Sequence, residues 1–325
     1  MKTFLFFIST LLVFQSSYAK IWRVNNSTGI TANFTTAQAA NDAVSVLAGD
    51  TIHLEPSTSS YGSLTTSKRL VWISIGYFLG AHPSQQYYSY SGRVSDLNIY
   101  AGSDNSVFSI NCDYCNLSAA NIGLIRCYIN GNLSIQYISA PGPTNDIVTN
   151  CYILGAVLIY NGSNHNLSNN IIGDYAYCST SAGAFYINNV INAINGTVNS
   201  MSNCTVQNNI FNKVTSAYSF TNCLVEYNMG AANVLPAGNN NQNNVTMSTV
   251  FIDQNSNTDS GFVLKPSSNP ALGAGVGGVD LGAYGGSTPF KFALQPAIPA
   301  IYKIIAPASP TGSTMNVTFS TKSNN

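Results

Sequence analysis

A chain of 325 residues with 45% hydrophobic and only 7% charged side chains can bury a substantial core and is not disordered by composition. Its 12 Lys and Arg are balanced by 12 Asp and Glu, so it lacks the basic field that nucleic acid or an anionic membrane surface would require.

The chain opens as an export leader, residues 1–19. Lys2 supplies the positive charge, Phe4 to Phe14 an apolar run, and Ser17-Tyr18-Ala19 a small-residue cleavage site. The mature chain is then expected to begin near Lys20, in a secreted, extracellular or cell-surface protein. The apolar run is short for a membrane span and no later stretch approaches about 18 apolar residues, so no stable span is expected after cleavage; an uncleaved anchor is the alternative. The absence of a Cys at the cleavage site argues against a lipid anchor. Seven cysteines in an exported chain allow disulfides, leave at least one thiol unpaired, and are too few for a disulfide scaffold.

Residues 20–60 predict a strand, a helix and a strand. Ile21 to Val24 is short and apolar-rich, Phe34 to Val44 is Ala-rich with a Thr N-cap candidate, and Thr51 to Pro56 alternates after Gly49-Asp50. Residues 61–290 read as short strands joined by polar bends, and from Asn121 a repeat becomes legible. With Cys127, Cys151, Asn170, Asn189, Asn209 and Asn228 placed at a common zero position, the steps are 24, 19, 19, 20 and 19 residues.

The columns of this alignment assign faces. Leu124, Val148, Leu167, Tyr186, Val206 and Val225 at minus three form one inward apolar stack, and Ile129, Ile153, Ile172, Ile191, Phe211 and Gly230 at plus two form another. The mostly polar minus-two column, Ile125 to Glu226, points outward, as the two-residue alternation of a strand requires. Asn121, Asn145, Asn164, Asn203 and Asn222 recur at minus six, broken by Gly183. Stacked about 4.8 Å apart, both Asn columns can hydrogen-bond from coil to coil. Coils of about twenty residues also suit a leucine-rich repeat, but the Leu-x-x-Leu-x-Leu signature is absent.

The strand, helix, Gly-Asp, strand order at the start resembles the N-terminal cap of secreted bacterial right-handed parallel β-helix proteins of the pectate-lyase-like superfold. Ser268-Asn269-Pro270-Ala271-Leu272-Gly273-Ala274-Gly275, followed by Asp280-Leu281-Gly282-Ala283-Tyr284, resembles their closing turn. The expected fold is therefore all-β, a right-handed parallel β-helix solenoid with an N-terminal capping helix. Residues 291–325 would form an extended tail or strand, lying along the solenoid, capping its end or docking elsewhere.

Enzymes on this fold cut polysaccharides with paired carboxylates, or with Ca²⁺ held by several carboxylates and an Arg or Lys base. The aligned coils hold only Asp146, Asp174 and Glu226, in three different columns. Asp174 and Lys213 share column plus four, two coils apart, and are the catalytic candidates; two solvated loop charges are the plain alternative. Asp146 and His165, neighbours at minus five, are read as a buried structural pair. Arg126, among Asn residues at minus one, could bind an acidic sugar or be a surface cation. Cys204 with Cys223, and Cys127 with Cys151, lie one coil apart as disulfides or packed thiols. Cys112-Asp113-Tyr114-Cys115 lacks a second Cys pair or nearby His, which leaves a local disulfide or two core thiols. No cofactor or metal is expected.

The ligand-binding candidates are Tyr87, Tyr88, Tyr90 and Arg93, whose rings suit sugar faces and whose donors suit hydroxyls; a loop packed on the flank is the alternative. The expected function is that of a non-catalytic surface or carbohydrate-associated protein, with polysaccharide as the partner. A polysaccharide lyase or glycoside hydrolase, and a structural or adhesive protein, are the alternatives. The sequence leaves the oligomeric state open.

Overall fold

The computed structural model describes residues 19–81, 90–100, 104–136, 143–180, 182–192, 200–214, 218–291, 300–309 and 313–322. The expected leader, residues 1–19, lies outside the described residues except for Ala19, as do Tyr87 and Tyr88.

One coil shows how the sequence makes the fold. Asn203 (φ 54°) turns the chain into the strand Thr205–Gln207, and Asn208 (φ 59°) turns it out again toward Ile210–Phe211. After Lys213 (φ 53°) and the strand Ser219–Thr221, Asn222 (φ 55°) closes the circuit. Single residues in the left-handed region bend a strand sharply without a long loop, and Asn tolerates that region better than other side chains bearing a Cβ. This is why Asn recurs at both minus six and minus one.

Stacking of such coils gives a parallel β-solenoid of about eight turns. Its first sheet has ten parallel strands, from Ile21–Val24 through Thr51–Leu54, Val71–Ile73 and Ser106–Phe108 to Leu224–Glu226. A second face is made of two-residue strands, Tyr128–Ile129, Tyr152–Ile153, Ile171–Ile172, Val190–Ile191, Ile210–Phe211 and Met229–Gly230. A third face runs from Leu133–Ile135 to Ser219–Thr221. The second and third faces merge into one 14-stranded sheet at Asn111–Leu117: Asn111 and Cys112 pair with Tyr128–Ile129, and Cys115 to Leu117 with Leu133–Ile135.

The minus-three stack faces inward as its period requires, and strand register carries it beyond the legible repeat. Leu124 lies beside Val107, then Trp72, Ile52 and Trp22. All of these are buried in one core with Val148, Leu167, Tyr186 and Val206.

Both predicted Asn ladders form, with different surroundings. At zero, Asn170, Asn189, Asn209 and Asn228 are wholly buried, and the side-chain amide of each of the first three donates to the next Oδ1 at 3.0 Å. Each Oδ1 also accepts the backbone N–H of the preceding coil, as Asn189 does from Asn170 at 2.9 Å. Asn241 extends the ladder past the last coil, accepting from Asn228 at 3.1 Å. The minus-six ladder is more exposed and carries single links, Asn145 to Asn121 at 3.2 Å and Asn222 to Asn203 at 2.8 Å.

The plus-one residues of the second face point outward, yet Tyr152, Ile171, Val190, Ile210 and Met229 are buried. Residues 247–290 return over them as a strap, packing Phe251, Phe262, Ala271, Leu281, Ala283 and Phe290 onto this second apolar cluster. The strap is tied by the minus-one Asn residues. Val276 N–H donates to Asn208 Oδ1 at 3.0 Å, Asn188 donates to Asp280 O at 3.0 Å, and Asn169 donates to Ala283 O and Gly285 O at 3.0 and 2.8 Å. The segment resembling a closing turn therefore runs back along the flank, against the direction in which the coils were laid down.

The short helix α1 (Ala37–Asp42) starts at Thr36, whose side chain accepts the Ala39 N–H as an N-cap, and it buries Ala37, Ala40 and Asn41. Near the other terminus Ala300–Ile305 and Thr318–Lys322 pair antiparallel, with Ile301, Ile304 and Phe319 exposed. Among the described helices none is long and apolar enough to cross a membrane.

Candidate functional site

Where residues 287–291 meet the first sheet they leave a groove of about 420 Å³. Ile125 and Ile147 give it apolar walls, and Thr149, Asn150, Ser168, Ser287 and Thr288 supply hydroxyl and amide groups. Arg126 and Lys291 bring two cations. There is no carboxylate among the described residues that line it.

Each part has a structural cause. Ile125, Thr149 and Ser168 occupy the outward minus-two column on three successive strands. Arg126 takes the left-handed bend (φ 54°) that Asn occupies in the next coils. Its guanidinium is half-buried: burial lowers its pKa and Tyr77 opposes that shift, and an arginine stays charged throughout the physiological range. The strap side is fixed by Asn150, whose Oδ1 accepts the Lys291 N–H at 2.6 Å, and by Thr288, whose hydroxyl donates to Asn169 Oδ1 at 3.2 Å. Lys291 and Thr288 escaped the sequence reading because they meet Asn150 and Asn169 only through contacts more than a hundred residues long. The available signal was the minus-one Asn column, whose amides sit at bends outside the strands and there bind the returning chain.

A second surface recess of about 550 Å³, lined in part by Arg23, Asn25, Ser27, His53 and Glu55, lies on the first two strands of the same sheet. Its carboxylate is engaged: Glu55 accepts from both Arg23 and Asn25. The Arg23 hydrogen bond leads the lowering of the Glu55 pKa, against burial.

The sequence-derived candidates separate. Asp174 sits in the turn after Ile171–Ile172 and is half-exposed; Lys213 occupies a left-handed bend two coils on. Neither lines the groove. Asp146 and His165 are fully buried and face each other at 3.1 Å. Asp146 also accepts the Ile122 N–H at 2.9 Å; burial raises its pKa, opposed by His165 and that N–H. This is an internal pair, as its column position implied. Tyr90 is exposed, and Arg93 holds Asp113 on the neighbouring strand, Nη2 to Oδ1 at 2.7 Å.

All seven cysteines are free thiols. Cys112 and Cys115 lie in the core rather than in a local disulfide. Cys127 N–H donates to Cys151 Sγ at 3.4 Å, and Cys204 N–H to Cys223 Sγ at 3.3 Å, so sulfur takes the accepting role that Asn Oδ1 plays in the ladder. Among the described residues no group of three or more His, Cys, Asp or Glu side chains is arranged to hold a metal ion.

No family model, curated protein or solved structure matches the chain.

Proposed function

We propose that this β-solenoid is a non-catalytic, exported carbohydrate-associated protein that holds an acidic polysaccharide in the groove between its first sheet and its strap. The observation that carries the reading is the lining: Arg126 and Lys291 among hydroxyls and amides, with Ile125 and Ile147 beside them and no carboxylate among the described lining residues. A guanidinium and an ammonium suit a uronate or sulfate group, the polar side chains suit sugar hydroxyls, and the isoleucines suit the apolar face of a ring. Hydrolysis would need two carboxylates flanking the bond, and Ca²⁺-assisted elimination a cluster of them.

The test is a screen of the purified chain against acidic and neutral polysaccharides, recording retention and the release of reducing or unsaturated ends on the same samples. Retention on acidic polymers without products is expected. Product release that is lost on Asp174→Ala or Lys213→Ala would replace this reading with the lyase or hydrolase one. Failure to be retained on any glycan would favour a structural or adhesive protein.

A further inference from the structure

Asp50 is a nearly buried carboxylate at the start of the solenoid, 5% exposed. Its oxygens are filled by three N–H donors. Oδ1 accepts the backbone N–H of Lys20 at 2.8 Å, and Oδ2 accepts the Trp22 indole N–H at 2.8 Å and the Leu47 N–H at 2.9 Å. Lys20 is held from two further sides, its carbonyl accepting the Thr51 N–H at 2.8 Å and its ammonium lying 3.5 Å from the centre of the Trp22 ring. The nitrogen that Asp50 receives is thus the one at which the sequence predicts export cleavage, after Ser17-Tyr18-Ala19.

We propose that Asp50 is the binding site for the α-ammonium group released when the Ala19–Lys20 bond is cut, so that removal of the leader tightens the first coil. The chemistry is a hydrolysis. Water adds across the Ala19–Lys20 amide, Ala19 leaves with the leader as a carboxylate, and the Lys20 nitrogen takes up protons to become an ammonium. Before the cut Asp50 accepts a neutral amide N–H; afterwards it accepts from a cation at the same place, and charge-assisted hydrogen bonds of this kind are about twice as strong. Burial pushes the Asp50 carboxyl up, but the Lys20 and Leu47 N–H groups, the Trp22 indole and the Lys20 charge together hold it below its usual range. The site is therefore poised as an anion. The precursor, which offers Asp50 only a neutral amide N–H, is the less tightly closed form.

The proposal is tested with three forms of the protein: the full chain from Met1, the chain beginning at Lys20 with a free amine, and that same chain acetylated on its N-terminus. The free-amine form is expected to melt about 2–4 °C above both others, a shift in the range that one partly buried charged contact gives in a domain of this size. Its α-amine should react with an acylating reagent at least tenfold more slowly than an unprotected peptide amine. In Asp50→Asn the advantage over the acetylated form should vanish. Equal melting of the free and acetylated forms, or an α-amine that reacts at the peptide rate, would overturn the proposal even if Asp50→Asn does not fold. So would an exported protein whose first residue, read by mass spectrometry, is not Lys20.

Discussion

Two outward faces of the same solenoid have opposite fates. The plus-one column of the second face, Tyr152 to Met229, is apolar and lies under the strap. The outward columns of the first sheet are mixed: Ile147, Phe185 and Leu224 are 42–50% exposed, beside Thr149, Ser168 and Gln207. The difference teaches that direction relative to the coil does not decide burial here; the returning segment does. It also places the groove, which forms where residues 287–291 meet the first sheet.

The covered face should be the more sensitive to substitution. Phe262 on the inner side of the strap is fully buried and stacks edge-on against Phe251, with centroids 5.5 Å apart. Phe262→Ala is expected to cost about 3–5 kcal/mol in denaturant unfolding. A cost below about 1 kcal/mol would mean that the strap is not part of the cooperative core.

The two Asn ladders sharpen the comparison. Asn189→Ala removes the acceptor of the buried Asn170 N–H and the donor to the Leu167 carbonyl, at a cost of about 2–4 kcal/mol. Asn145 at minus six is held chiefly by its left-handed φ of 57°. Asn145→Ala should cost about 1–2 kcal/mol, and Asn145→Gly little, because glycine adopts that conformation freely. If Asn189→Gly proved as mild as Asn145→Gly, the hydrogen bonds of the buried ladder would contribute little to stability.

The smallest effect concerns the open first sheet and its pH response. Burial lowers the pKa of His53 from the ordinary 6.5, with Glu55 opposing and Arg23 adding to the shift. A depressed folded pKa means that its contribution to stability is present above about 6.5 and is lost as the pH falls through the lower folded value. The melting temperature of the natural chain should therefore fall more between about pH 7.5 and pH 5 than that of His53→Gln. An equal fall would assign the acid response to other groups.

The repeat was legible because one residue type answered two local needs at fixed intervals. Asn bends the backbone at minus six and minus one, and at zero its amide reaches the next coil. The earlier coil carries the same bends at Asp104 (φ 67°) and Ser109 (φ 56°), with Ile110 at zero. It was unreadable because other side chains occupy the ladder positions. The buried plus-one column was hidden for a related reason: a strand of two apolar residues has no alternation to reveal which one faces in. Of the groove, only Arg126 was singled out, since local spacing says nothing of where residues 287–291 return. The internal placement of Asp146 and His165, by contrast, followed from their column alone.

The most direct test of the central claim is a titration of the purified chain with an acidic polysaccharide at low and high salt, alongside Arg126→Asn and Lys291→Ala. Asn suits the left-handed bend at 126, as its neighbours in that column show, and both substitutions should leave stability within about 0.5 kcal/mol. The account predicts binding that weakens with salt, falls about tenfold or more in each variant, and is accompanied by no new chain ends. Affinity unchanged in both variants would contradict it.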